Sequence, residues 1–172
     1  MELSDDIVRL RPFALSDAPA IAAACADPEL ARFIPGIPVP YTDADANAYV
    51  AAAATEWATG QRRPFAIVSA TDGMFLGAIE VSLGEEGSVG YWVAPEARRQ
   101  GVATRALVLL AQWAVTAAGV ERLALTTHPE NIASQLVAEK AGFVREGVLR
   151  SHIRFREGRR DSVLFSLLPS DL

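Results

Sequence analysis

The segment Arg98-Arg99-Gln100-Gly101-Val102-Ala103-Thr104 stands where the chain changes its period. Before it, Gly87 to Val93 reads as extended. After it, Leu107, Leu110, Ala111 and Ala114 recur at helical spacing and would face a sheet. A strand, a short basic loop and a helix start leave few architectures open. Glycine lets the chain turn tightly and lets a ligand approach the backbone. The first helical amides lack an intrahelical partner, and the helix dipole favours negative charge there. Arg98, Arg99 and Arg105 add positive charge nearby. The segment therefore reads as a site for an anionic group. Its single glycine also fits a plain helix start, and it lacks both the Gly-Lys-Ser/Thr ending of an NTPase loop and the three-glycine spacing of a dinucleotide fold.

The rest of the chain supplies strands and helices in a mixed order. Ile7 to Arg11 alternates apolar and basic residues, as a half-solvated strand does. Ser16 is the expected N-cap of a helix through Ala26, and Asp27-Pro28 restarts a short one. Phe33 to Tyr41, with Pro35, Gly36, Pro38 and Pro40, reads as a loop. Thr42 with Asp45 resembles a capping box and opens a helix to about Ala58, stopped by Gly60. Strands follow at Phe65–Ala70, Phe75–Leu83 and Ser88–Val93, the first two joined by an Asp72-Gly73 turn. After the basic loop and its helix, Arg122–Thr126 is reached by a helical crossover and should lie parallel to the strand ending at Val93. A helix at Ile132–Ala141 and a last hairpin around Glu157-Gly158 complete one α/β domain with a mixed sheet, spanning residues 1–172.

Composition narrows the function. The 51% hydrophobic content is that of a chain with a real core. A net charge of -5 argues against broad nucleic-acid binding. Cys25 is the one cysteine, set among alanines, so it reads as a small buried apolar residue and no intrachain disulfide is available. The acidic Met1–Asp6 does not read as a signal peptide, and no apolar run suffices to span a bilayer, so a cytoplasmic location is expected.

A second segment, Asn131-Ile132-Ala133-Ser134 followed by Gly142-Phe143-Val144-Arg145-Glu146-Gly147, gives the basic loop a context. Arg98-Arg99-Gln100-Gly101-Val102-Ala103 resembles the Arg/Gln-x-x-Gly-x-Gly/Ala motif of the GNAT acyl-CoA N-acyltransferases. Arg9-Leu10-Arg11-Pro12, Asp17, Tyr91-Trp92-Val93, Asn131-x-x-Ser134, Gly142-Phe143-x-x-Glu146-Gly147 and Asp161 follow in the order of the RimJ/RimL-like ribosomal-protein N-terminal acetyltransferase branch. The resemblance covers nearly the whole chain. It implies a splayed mixed sheet flanked by helices, with acetyl-CoA as acetyl donor and no metal. By the same resemblance, Trp92 and Val93 would offer backbone groups to pantetheine. The amides of Gln100, Gly101, Val102, Ala103 and Thr104 would cradle the pyrophosphate, flanked by Arg98 and Arg99. Asn131 would bond the cofactor arm, and Ser134 would sit near the sulfur. Homodimers are frequent in the family, which leaves a homodimer open here by analogy.

Acyl transfer to an amine needs an unprotonated nucleophile, stabilisation of the carbonyl oxygen and a proton for the thiolate. Many GNAT members carry a tyrosine four residues beyond the Ser134 position. Here that residue is Ala138, so Ser134 is the candidate for assisting the thiolate. Glu80 is the candidate general base, because partial burial among apolar strand residues would raise its pKa. Each has a plainer alternative: a helix cap for Asn131, a first-turn residue for Ser134, a solvated carboxylate for Glu80. Glu146 and His128 are weaker candidates, read as an ion pair and a surface or capping residue. The arginines around His152 in the last hairpin read as a solvated edge or as the wall of an acceptor groove. The leading expectation is an acetyl-CoA-dependent N-acetyltransferase acting on a primary amine, such as a peptide α-amino group. A small-molecule acetyltransferase and a non-catalytic acyl-CoA-binding module remain beside it.

Overall fold

A computed structural model describes all residues, Met1 to Leu172. Eight strands form one sheet: β1 (Leu3–Ser4), β2 (Val8–Arg11), β3 (Arg62–Ser69), β4 (Phe75–Ser82), β5 (Glu86–Val93), β6 (Arg122–Thr127), β7 (Val144–Phe155) and β8 (Gly158–Leu167). Their spatial order is β1-β2-β3-β4-β5-β6-β8-β7. Every neighbouring pair is antiparallel except β5 and β6, which run parallel. The connection between those two crosses over through the helix Val102–Thr116, as a parallel pair requires.

Five helices cover the sheet: α1 (Ala18–Cys25), α2 (Pro28–Phe33), α3 (Asp43–Thr59), α4 (Val102–Thr116) and α5 (Ile132–Lys140). Strand alternation sends side chains to two separate cores. On β3, Phe65 and Ile67 join the larger core with Leu107, Leu110 and Ala114 of α4. Their neighbours Ala66 and Val68 join the smaller core with Ile21 of α1 and Val50 of α3. So α4 and α5 lie on one face and α1 to α3 on the other. The second group covers only the β2–β4 half, which leaves the opposite face of β5, β6 and β8 as an open groove. No helix is long and apolar enough to cross a membrane.

Local signals explain most element ends. Thr42 Oγ1 accepts from the Asp45 amide and Asp45 returns a bond to the Thr42 amide, closing the capping box of α3. Asp27 caps α2 with Pro28 at its first position. Ser16, expected as the cap of α1, lies instead inside a short 3-10 turn, Leu15–Asp17, and α1 begins at Ala18. The reason is tertiary. Asp17 is buried to form a two-pronged ion pair with Arg11 (2.8 Å for each oxygen) and to accept the Ala14 amide. Burial pulls that carboxyl upward, but Arg11 and the amide outweigh it and hold its pKa below the usual value.

Gly77 is required by a close approach between strands. A Cβ there would lie 2.3 Å from the Trp92 carbonyl oxygen, so only glycine lets β4 turn its irregularity against the end of β5.

Candidate active site

The parallel pair that carries the site separates midway. β5 and β6 are paired from Glu86↔Arg122 to Val89↔Leu125 and no further. Beyond that point β5 stays on β4 as far as Gly77↔Val93, while β6 follows β8 through Thr127↔Val163. The edge of Gly90–Val93 that faces β6 is therefore left without a strand partner. The split opens toward the carboxyl ends of the strands, where the Arg98–Thr104 loop and the start of α5 both lie.

The loop is shaped to present amides. Arg99 (φ 60) and Gly101 (φ 79) both take left-handed backbone, and α4 begins at Val102 with no side chain capping it. The backbone amides of residues 99 to 104 donate to no acceptor in the protein; the first bond of the helix runs from the Arg105 amide to the Gly101 carbonyl. Six successive donors at a helix N-terminus fit a multiply charged group such as a pyrophosphate. Around Gly101 a Cβ would meet nothing within 4 Å, so the space before the loop is open.

The expected positive charge is smaller than the residue types suggest. The Arg98 guanidinium lies 2.5 Å from Asp27 at the start of α2, and Arg105 is 2.9 Å from Asp5 and 3.2 Å from Asp6. The Gln100 side chain turns back to the Glu96 carbonyl. Of the three arginines, only Arg99 is in no ion pair. The loop acts chiefly through its backbone.

At the other lip of the split, Asn131 Oδ1 accepts the Ser134 amide at 3.1 Å, so Asn131 is the N-cap of α5. That bond uses its oxygen and leaves the Nδ2 hydrogens for a ligand. Ser134 Oγ lies 2.9 Å from the hydroxyl of Tyr91, which crosses from β5 to α5. Tyr91 follows the alternation of Val89 and Val93 onto the α4 face, and that register is the sequence signal that could have singled it out. Burial pushes the Tyr91 hydroxyl up to about 12, so it stays protonated. Trp92 points the other way, against Phe75 (ring centroids 5.8 Å apart), and only its backbone faces the split.

The opposite face carries a cavity of about 520 Å³ lined by Glu80, Ser88, Gly90, Thr126, Leu149 and His152, among others. It reaches the split at Val89 and Gly90. Glu80 stands on β4 directly opposite Gly90, whose missing side chain keeps the space before the carboxylate free. Burial raises the Glu80 pKa above the usual carboxylate value, although Arg62 forms an ion pair with it and pulls the other way. His152 enters from β7 with Nδ1 2.8 Å from Ser162 Oγ. Sequence reasoning does not single out Arg62 or His152 as catalytic. Both come from strands distant in sequence, and His152 is brought in by an irregularity of β7 that no local pattern announces.

Three other residues fall outside this arrangement. Glu146 makes a two-pronged ion pair with Arg122 and accepts from Ser166 Oγ, a structural role. The His128 ring stands between Phe33 and Phe155, with centroids 5.6 and 6.4 Å away. Cys25 is buried, which pushes its thiol up to about 11 and leaves it a packing residue.

Residues 8–144 match the model of the acetyltransferase (GNAT) domain. The chain belongs to the GNAT acetyltransferase family. A Bacillus subtilis protein named "Probable N-acetyltransferase YjcK" is 26% identical over 112 residues, 62% of this chain and 62% of its own length. The chain thus spans less than two thirds of that relative. Mycobacterium smegmatis RimJ, solved in complex with CoA-disulfide, superposes with a TM-score of 0.87 at 26% identity, covering 100% of this chain and 88% of its own. RimL, a ribosomal alpha-N-protein acetyltransferase solved with coenzyme A, superposes with a TM-score of 0.88 over 98% of each chain, and at 15% identity shows the common fold.

Proposed function

We propose that this GNAT protein moves an acetyl group from acetyl-CoA to the α-amino group of a peptide or protein, by direct attack within a ternary complex. The observation that carries the reading is the split between β5 and β6. It joins a row of six free amides on one face to a cavity containing a proton-accepting carboxylate on the other. The amides of residues 99 to 104 hold the pyrophosphate, and the unpaired edge of Gly90–Val93 receives pantetheine. Asn131 Nδ2 bonds the pantetheine arm. The thioester then lies at the split, where the two faces meet.

The amine enters from the groove. Glu80, with its raised pKa, takes one proton from the ammonium, directly or through a water, and the proton that nitrogen sheds on becoming an amide passes to the departing sulfur. Nitrogen bonds to the carbonyl carbon, the carbon–sulfur bond breaks, and the electron pair leaves on sulfur. Ser134 Oγ, held by Tyr91, donates a hydrogen bond to the departing thiolate. No enzyme nucleophile is needed. A peptide acceptor is supported by the RimJ/RimL-like order of motifs and by the likeness to M. smegmatis RimJ.

Free-thiol release from acetyl-CoA, followed with peptides, amino acids, polyamines and aminoglycosides, tests the reading. Thiol release with peptides, and an acetyl group on their N-terminus by mass spectrometry, is expected. Tight acetyl-CoA binding without thiol release for any amine would make the chain a binding module. Release with aminoglycosides or polyamines alone would make it a small-molecule enzyme.

A further inference from the structure

The hairpin of β7 and β8 contains a built irregularity. Leu149 pairs with Ser162 and Ile153 with Arg160, so four steps along β7 answer two along β8. The extra residues loop out through Ser151, which takes φ 49, a left-handed conformation unfavourable for a serine. Three contacts hold it there. Asp161 accepts the Ser151 amide at 2.8 Å, and Arg159 donates to the carbonyls of Ser151 (3.1 Å) and His152 (3.0 Å). An edge strand needs none of this to stay paired. What the irregularity achieves is to set His152 on the wall of the groove that Glu80 lines from β4.

The bond to Ser162 fixes which nitrogen faces the groove. Ser162 is fully buried, and His152 Nδ1 is its hydroxyl's one hydrogen-bond partner. A buried hydroxyl proton seeks an acceptor, so Ser162 donates to Nδ1. The hydrogen of the neutral ring then sits on Nε2. In the imidazolium Nε2 carries a hydrogen as well. In both states His152 offers the groove an N–H donor and no base. Glu80 is the proton acceptor of the cavity, and His152 is its donor.

We propose that His152 is a specificity-determining residue, whose Nε2–H binds a backbone carbonyl close behind the acceptor's α-amine. The groove then selects peptide-like amines over amines that carry no carbonyl. This rests on the acetyltransferase reading above and adds the chemical feature by which the acceptor is recognised.

The test compares a short peptide amide with an n-alkylamine of similar length, by free-thiol release, in wild type, His152→Phe and His152→Gln. One neutral hydrogen bond corresponds to roughly a tenfold effect at most. We expect the peptide-to-alkylamine ratio of kcat/KM to fall about tenfold in His152→Phe and to recover in His152→Gln, which restores an N–H donor. Ser162→Ala leaves the ring in place but frees its tautomer, and should lower the same ratio about threefold. An unchanged ratio in folded His152→Phe and Ser162→Ala overturns the proposal while leaving acetyl transfer intact. Equal losses on both acceptors also overturn it, since they signal a general structural or catalytic role. Wild type that releases thiol with neither acceptor overturns the acetyltransferase reading, and this proposal with it.

Discussion

The two faces of the sheet at the split recognise by different means. On the α4 face the groups offered are mainly backbone, six amides and an unpaired strand edge, joined by the side chains of Asn131 and Ser134 at the start of α5. Two of the three arginines in and beside the basic loop are spent on holding the fold together. On the groove face they are side chains: Glu80 paired with Arg62, and His152 held by Ser162. A donor that is always the same molecule can be held by amides, which any residue supplies. An acceptor that must be distinguished from other amines needs side-chain chemistry, which can differ from one protein to the next.

Substitutions on each face should therefore separate donor from acceptor effects. The largest effect is expected from Gly101→Glu, which sets a carboxylate in the proposed pyrophosphate cradle and should weaken acetyl-CoA binding by more than about 100-fold by calorimetry. Gly101→Ala is its control. A Cβ there meets nothing, so alanine pays only for the left-handed backbone, about 1 kcal/mol of stability. If the two variants bind acetyl-CoA alike, backbone strain and not charge explains the loss.

Glu80→Gln should lower kcat about 100-fold near neutral pH, with acetyl-CoA affinity preserved. Because burial raises the Glu80 pKa, the wild-type rate should fall as pH drops through that raised value and the carboxylate gains its proton. The variant should lack this limb. Its deficit should shrink at high pH, where the acceptor amine is already free. Matching pH profiles in the two proteins would assign the base elsewhere.

Gly90→Val should act on the groove alone. Gly90 has ordinary backbone, and its Cβ would be 3.7 Å from Glu80 Oε1, so the new side chain fits but fills the space for the amine. The acceptor KM should rise about tenfold. An equal rise in the acetyl-CoA KM would show that the two faces are not independent. The smallest effect is expected from Tyr91→Phe, which keeps the ring and removes the hydroxyl that holds Ser134. A threefold fall in kcat corresponds to roughly the loss of one hydrogen bond. Since Tyr91 titrates only near 12, the fall should be the same at every pH where Glu80 is charged. In a Ser134→Ala background, Tyr91→Phe should cost nothing more; a full additional threefold loss would show that Tyr91 does not act through Ser134.

Much of the donor side is legible in the sequence because its signals are local. Gly101 after a strand, helical spacing after it, and Asn131 three residues before Ser134 each act within one turn of chain. The parallel placement of β6 matches the expectation from its helical crossover, although the helices between β2 and β3 join an antiparallel pair. The structure departs from the local reading where a residue outside the same turn competes. Ser16 has the composition of a cap, but Arg11 claims Asp17 and the helix starts later. Arg98 and Arg105 read as free positive charge beside the loop, but each is in an ion pair, with Asp27 at 2.5 Å and Asp5 at 2.9 Å. His152 looks like one more polar residue of a basic hairpin until the register slip beside it is known.

The sequence by itself determined the order of elements, the free amides at the start of α4 and the presence of a carboxylate on β4, because turn chemistry, periodicity and capping depend on neighbours in the chain. Only the tertiary structure decided where β5 and β6 part, which arginines remain free, and that Tyr91 meets Ser134 while His152 shares a cavity with Glu80. Those outcomes depend on strand register and on pairs separated by tens of residues. A single step in register turns a side chain to the opposite face, and no local pattern records it.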